Sequence, residues 1–172
     1  TRTLWKLLKR YRVPVFLFVN KMDQPGTDRE RLMEELRRLL DDGCVDFDGG
    51  QDQEVFLENV ALCEERVMEG YLETGDIPQA EIKRLIRERK LFPCWFGSAL
   101  RLDGVEEFLR GLETCMEPPR GREAFGARVY KIGRDEQGNR LTYLKVTGGV
   151  LKVKELLKGR GKEEPWEEKV NQ

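Results

Sequence analysis

Hydrophobic positions along the chain fall into blocks of two different periods. Leu4, Trp5, Leu7, Leu8 and Tyr11 recur at helical spacing and Pro14 stands where a helix would stop, which predicts an opening helix packed against something. The segment Val13 to Val19 then turns continuously apolar, β-branched and aromatic. Such a run predicts a strand covered on both faces, and therefore a parallel sheet. Thr27-Asp28-Arg29-Glu30 has the form of a capping box, and Leu32, Met33, Leu36, Leu39 and Leu40 follow with helical period. Strand, polar turn and helix make half of a βαβ unit.

From Asp41 to Glu54 the chain is acidic and glycine-rich. The alternating carboxylates suggest calcium, but the glycine position of an EF-hand holds Gln51 and the terminal acid is missing, so the segment reads as a solvated loop. Leu57, Val60, Ala61, Val67, Met68, Tyr71 and Leu72 form the next helical stripe. Ile82, Leu85 and Ile86 form another, entered through Pro78. "LFPCWFGSAL" then repeats the opening pattern, an apolar strand ending in small and polar residues. Asp103 to Glu106 can cap the helix after it, with a buried face of Val105, Phe108, Leu109, Leu112 and Met116. Two parallel strands with polar or small carboxyl ends place those ends in the crevice where open α/β sheets bind ligands.

At Glu117-Pro118-Pro119-Arg120-Gly121 the helical periodicity stops. "FGARVYKIG" and "RLTYLKV" alternate as strands around the turn segment 135–139, and "VLKVKEL" after Gly148-Gly149 reads as a third strand. The tail "GKEEPWEEKVNQ" reads as polar. We therefore divide the chain into an α/β part, residues 1–118, and a β-rich part, residues 119–172.

Composition narrows the class. The chain has 39% hydrophobic and 37% charged residues, and its longest apolar run, Val15 to Val19, is far short of the ~18 residues of a membrane span. No secretory signal is read, so a cytoplasmic protein without a membrane partner is expected. Cys44, Cys63, Cys94 and Cys115 are far apart and there is no histidine, which excludes the usual zinc patterns and predicts reduced, mostly buried thiols. Net charge is −1, yet residues 120–162 carry twelve Lys or Arg against four Asp or Glu, leaving that stretch at +8 and the remainder at −9. A polyanion could be met there, although a solvated surface of small strands explains the charge equally well.

The chemistry sits at the two strand ends. Asn20-Lys21-Met22-Asp23 has the form N-K-x-D, and Ser98-Ala99-Leu100 closes the second strand. By themselves Asn20 and Asp23 could simply form a turn and a helix entry. In combination the two motifs resemble the translational GTPases. That resemblance implies a guanine site: Asp23 accepting from N1–H and the 2-amino group, Asn20 binding the other edge and tying the two loops, the stem of Lys21 covering the base, and the amide of Ala99, between Ser98 and Leu100, meeting O6. Adenine lacks the 2-amino group and reverses the hydrogen-bonding sense at position six. Binding it would leave buried polar groups unpaired at roughly 1–3 kcal/mol each.

"PVFLFVNKMDQPGTDRE", "LFPCWFGSAL", "GVEEFL" and "FGARVYKIGRDEQGNRLTYLKVTGGVLKV" together resemble the elongation factor G group, including the ribosomal protection proteins of the tetracycline-resistance type. The resemblance covers nearly the whole chain. It implies the C-terminal half of a P-loop GTPase domain, a parallel sheet with flanking helices, followed by the start of an antiparallel β-barrel. It also implies GTP or GDP with magnesium as ligands of the full-length parent, and the ribosome and ribosomal RNA as its partners. No phosphate loop of the form GxxxxGK[ST] occurs here, and Gly161-Lys162 is followed by Glu163. The family's switch threonine and D-x-x-G segment precede the N-K-x-D strand. We therefore expect a fragment that binds nucleotide poorly, with no catalytic or metal-binding residue of its own. Truncated sheets would leave open edges and favour self-association. The competing reading is a naturally short, non-enzymatic module that binds ribosomes or RNA.

Overall fold

A computed structural model of the chain describes residues 2–50, 52–116, 123–160 and 165–170. It divides into two compact units, Thr1–Glu117 and Pro118–Gln172. In the first, α1 (Arg2–Arg10) precedes β1 (Leu17–Val19), α2 (Arg29–Leu39), β2 (Cys44–Asp46), α3 (Gln53–Ala61), α4 (Glu65–Thr74), α5 (Gln79–Arg87), β3 (Phe92–Phe96) and α6 (Val105–Cys115). The three strands form one parallel sheet in the order β1-β3-β2.

Strand alternation sorts the core into two layers. Leu17 and Val19 of β1, Cys44 of β2, and Phe92, Cys94 and Phe96 of β3 share one face with Trp5 and Leu8 of α1 and Met33 and Leu36 of α2. Val45 lies in the opposite layer with Leu57, Val60, Val67, Ile82, Leu85 and Ile86 from α3, α4 and α5. Trp95 belongs to this second layer. Its ring centroid lies 5.3 Å from Phe108 on α6, 5.4 Å from Phe47 and 6.2 Å from Phe16. Each fully buried large side chain, such as Phe92 or Leu85, contributes about 1.5–3 kcal/mol. β3 is thus the strand buried on both faces, whereas β1 is a half-buried edge. The pattern that predicted double coverage at Val13 to Val19 applies in full to the second apolar run.

Several local readings are corrected. Asp28, not Thr27, caps α2 by accepting from the Arg31 amide at 3.1 Å. On α1 only Trp5 is buried and Leu8 half-buried, while Leu4, Leu7 and Tyr11 are exposed. The stripe from Leu57 to Leu72 is two helices, broken after Ala61, and Leu72 is exposed. Gly104, with φ of 73°, takes the cap position of α6, because the backbone of Asp103 is paired with Ser98. The inward residues of α6 are Val105, Phe108, Leu112 and Cys115, with Leu109 and Met116 turned outward. The acidic segment contains β2, held by Arg29, which grips both carboxylate oxygens of Asp46 at 2.6 and 2.7 Å and reaches Asp48 at 2.9 Å. This guanidinium also lies 4.8 Å from the centroid of Phe96, so the loop after β2 is fastened to the start of α2 and to β3.

Ionic contacts fasten the helices of the second layer. Glu64 is paired with Arg84 and, at 2.6 Å, with Lys90; these cations hold its carboxyl down at about 2. All four cysteines are free thiols. Cys44 and Cys94 meet inside the sheet, where this contact and burial push the Cys94 thiol up.

In the second unit β4 (Gly126–Arg134) and β5 (Arg140–Gly148) pair antiparallel through a turn organised by Asp135, whose carboxylate accepts from the amides of Gln137 and Asn139. The segment Val150 to Leu156 is not a strand. It turns at Val153–Lys154, and β6 (Leu156–Arg160) begins only there, pairing with β7 (Pro165–Lys169) inside the supposed polar tail. Val129, Ile132, Val146 and Trp166 remain exposed on these hairpins. Gly161, Lys162, Arg120 and Arg122 lie outside the described residues.

Gly111 marks the closest approach of α6 to the sheet, since a β-carbon there would run into the Trp95 indole. Gly111→Ala should gain helix propensity yet destabilise the unit by about 1–3 kcal/mol through overpacking. Urea unfolding followed by tryptophan fluorescence measures the change; an unchanged midpoint would mean that α6 is free to move away.

Candidate functional site

The carboxyl ends of β1 and β3 stay together beyond their last residues. The Gly97 amide donates to Val19 O at 3.0 Å, and the Met22 amide donates to Gly97 O at 3.0 Å. Glycine is required at 97, because a side chain would strike the Asp103 carbonyl and the Phe18 ring. Loops 20–28 and 97–104 therefore run against one another.

Asn20 joins them. Its Oδ1 accepts from the Lys21 amide at 2.8 Å and from the Ala99 amide at 2.9 Å. With the oxygen so used, the two N–H donors of the carboxamide are what remain for a ligand. Lys21 is exposed and adopts φ of 71°, a left-handed conformation that costs a non-glycine residue roughly 1–2 kcal/mol. Such strain concentrates at functional sites. Thr27 closes the loop from within, its hydroxyl lying 2.9 Å from Met22 O and 3.0 Å from Gln24 O.

Asp23 is half-buried beside Ser98, itself almost wholly buried. The Ser98 hydroxyl beside it, with the positive charges of Arg101 and Lys21, holds the Asp23 carboxylate below its usual range. At neutral pH Asp23 is an acceptor only. Arg101 Nε stands 3.5 Å from Asp23 Oδ2. Ala99 is exposed at the turn and Leu100 is almost fully so.

The structure thus brings Asn20, Lys21, Asp23, Ser98 and Ala99 into one cluster, with Leu100 projecting outward at its edge. One detail differs from the expected arrangement. The Ala99 amide, expected to meet a base oxygen, is engaged by Asn20, so its first task is to hold the two loops in register. Sequence reading passed over Gly97, Thr27 and Arg101. In the sequence Thr27 has the form of a helix cap, and Arg101, directly after Ser98-Ala99-Leu100, carries no pattern of its own.

Chemically, the cluster offers an ionised acceptor pair, an amide donor pair and a lysine stem. This suits recognition of a planar base rather than bond making. Among the described residues no group of three or more acidic or thiol side chains is placed to hold a metal ion. No helix of the described residues is long and apolar enough to cross a membrane.

An open parallel sheet with helices on both faces and a polar cluster at adjacent strand ends is the architecture of a nucleotide-binding α/β domain. The model of the elongation factor Tu GTP binding domain matches residues 1–118, and the chain belongs to that family. It is 26% identical to elongation factor G of Mycoplasma pneumoniae, over 88% of this chain and 32% of that protein. With elongation factor G 2 of Syntrophus aciditrophicus it shares 26% identity over 94% of this chain and 34% of that protein. The chain spans about a third of the length of these curated relatives. A crystal structure of a Thermus thermophilus protein superposes with a TM-score of 0.73 at 21% identity, over 96% of this chain and 32% of that one, and shares the fold.

Asn20→Ala removes the acceptor shared by two amides, at an expected cost of about 0.5–1.5 kcal/mol for each bond lost. Hydrogen exchange of the Ala99 amide should accelerate by roughly tenfold while exchange within β3 stays unchanged. Equal acceleration in both would show that the substitution loosens the whole sheet.

Proposed function

We propose that this chain is the guanine-reading part of a ribosome-associated translational GTPase of the elongation factor G type. One observation carries the reading: Asn20 bridges the two loops through Ala99 while Asp23, ionised and held low by Ser98, stands in the same cluster. The family match and the two elongation factor G relatives support it. In the full-length protein Asp23 would accept from N1–H and the 2-amino group, and the Asn20 donors would meet the opposite edge. The phosphates and magnesium of GTP would be held by a loop of the form GxxxxGK[ST], absent from these 172 residues, so hydrolysis is proposed for the full-length protein and not for this chain alone. The finer reading, a ribosomal protection protein of the tetracycline-resistance type, rests on the stretches of similarity quoted above.

Ribosomal RNA is the proposed partner of the β-rich unit. Arg128, Arg134 and Arg140 are exposed on its first hairpin, whereas Arg122, another candidate, lies outside the described residues. Arg134 also donates to Gly138 O at 2.9 Å and so helps to build the turn. Arg128 and Arg140 are the cleaner probes.

Asp23→Asn in the full-length protein should weaken GTP and favour XTP, whose two-position carbonyl accepts from the new amide. The GTP to XTP preference in hydrolysis should fall by about 10- to 100-fold, as one or two mispaired polar groups require. An unchanged ratio would show that Asp23 does not read the base. Reversing the charge of Arg128 and Arg140 should lower ribosome-stimulated hydrolysis, more so at low salt, and leave intrinsic hydrolysis intact. Equal loss of both activities would indicate misfolding instead.

A further inference from the structure

Asp23 has an arginine beside it, Arg101, carried on the loop after β3. Loop 98–103 is closed by a two-way backbone pairing, Ser98 N to Asp103 O at 3.0 Å and Asp103 N to Ser98 O at 3.1 Å, with the Arg101 amide donating inward to Ser98 O at 3.1 Å. Leu102 takes φ of 63° to complete the turn. Leu100 and Leu102, on either side of Arg101, are 89% and 72% exposed. Arg101, between them, reaches back to the Asp23 carboxylate, whose side chain is only 18% exposed.

We propose that Arg101 is a displaceable counter-ion of the base site: its guanidinium, whose Nε stands 3.5 Å from Asp23 Oδ2, lies beside the acceptor edge of Asp23 and swings out for a guanine base to enter. The inference rests on reading Asp23 as the base-recognising carboxylate. A guanidinium presents N–H donors to a carboxylate in the same plane as the N1–H and 2-amino groups of guanine, so the two compete for the same lone pairs. Ser98 is compatible with either occupant, because a carboxylate has lone pairs to spare for its hydroxyl. Exposed ion pairs of this kind are weak and are screened by salt, which makes the arginine a gate that a neutral base can open. Its charge adds to the larger effect of Ser98 in holding the Asp23 carboxyl below the usual range. It also gives base entry an unusual salt response. Raising the ionic strength weakens the Arg101–Asp23 pair and so favours a neutral base, opposite to the response of phosphate contacts.

The test uses the 172-residue chain, its Arg101→Gln variant and guanosine, a nucleoside without phosphate, with adenosine as control. Carbon-detected NMR of the Asp23 carboxyl follows both binding and titration. The proposal expects Arg101→Gln to bind guanosine about threefold more tightly at low salt. Affinity of the unmodified chain should rise by a similar factor between low and high salt and that of the variant should not. The Asp23 carboxyl should titrate higher in the variant, since Ser98 and Lys21 alone would then hold it down. Equal or weaker guanosine binding by the variant overturns the gate while leaving base recognition by Asp23 intact. An Asp23 titration unmoved by the substitution overturns the ion pair itself. If neither protein distinguishes guanosine from adenosine at the Asp23 resonance, the base reading fails and the gate fails with it.

Discussion

Two parallel strands that end level with each other set up everything at the mouth of the sheet. The ladder between β1 and β3 passes from Gly97 N–Val19 O into the Asn20–Ala99 bond without a break, so a side chain takes over where the backbone pairing stops. One carboxamide oxygen then does what another pair of strand residues would have done. The site is an extension of the sheet, and its geometry inherits the rigidity of a strand buried on both faces. Gly97 makes that continuity possible, and the left-handed Lys21 shows its local cost.

What was legible beforehand followed strong local signals. The apolar runs before Asn20 and Ser98 announced β1 and β3, and N-K-x-D with Ser98-Ala99-Leu100 marked the two loops that the structure brings together. β2 was hidden because Cys44-Val45-Asp46 is short and set among acids and glycines. Its pairing partner Phe92 to Cys94 is distant in the chain, and Arg29, which neutralises Asp46 and Asp48, comes from a helix. β7 was hidden for a related reason: Pro165 to Lys169 is polar except for Trp166, and its strand character comes from pairing with β6. Alternation in Val150 to Leu156 pointed the wrong way, since a turn at Val153–Lys154 interrupts it. Arg101 could not be found by pattern, because its position against Asp23 depends on a closed loop held by backbone bonds.

The two units bury apolar surface very differently. In the α/β unit the charged residues Glu64, Arg84, Lys90, Arg29 and Asp46 sit in ionic clusters that brace helices and loops around two apolar layers. In the β-rich unit each hairpin pairs within itself, and aliphatic and aromatic residues on both remain open to solvent. A two-stranded hairpin is marginal by itself, so the exposed Val129, Ile132 and Trp166 identify where added strands or a partner surface would contribute most.

The strand order has a consequence for how the chain acquires its structure. β1 and β2 come first along the polypeptide, yet they never touch as paired strands; each is bonded to β3, which lies between them. Within these residues neither β1 nor β2 finds its strand partner until Phe92 to Phe96 has been made, and β3 must then enter between them. Closing this part of the sheet is therefore a late, long-range step with a loop-closure cost. The same late insertion brings Ser98 and Ala99 up to Asn20, so the two-loop cluster and this part of the sheet form in one event.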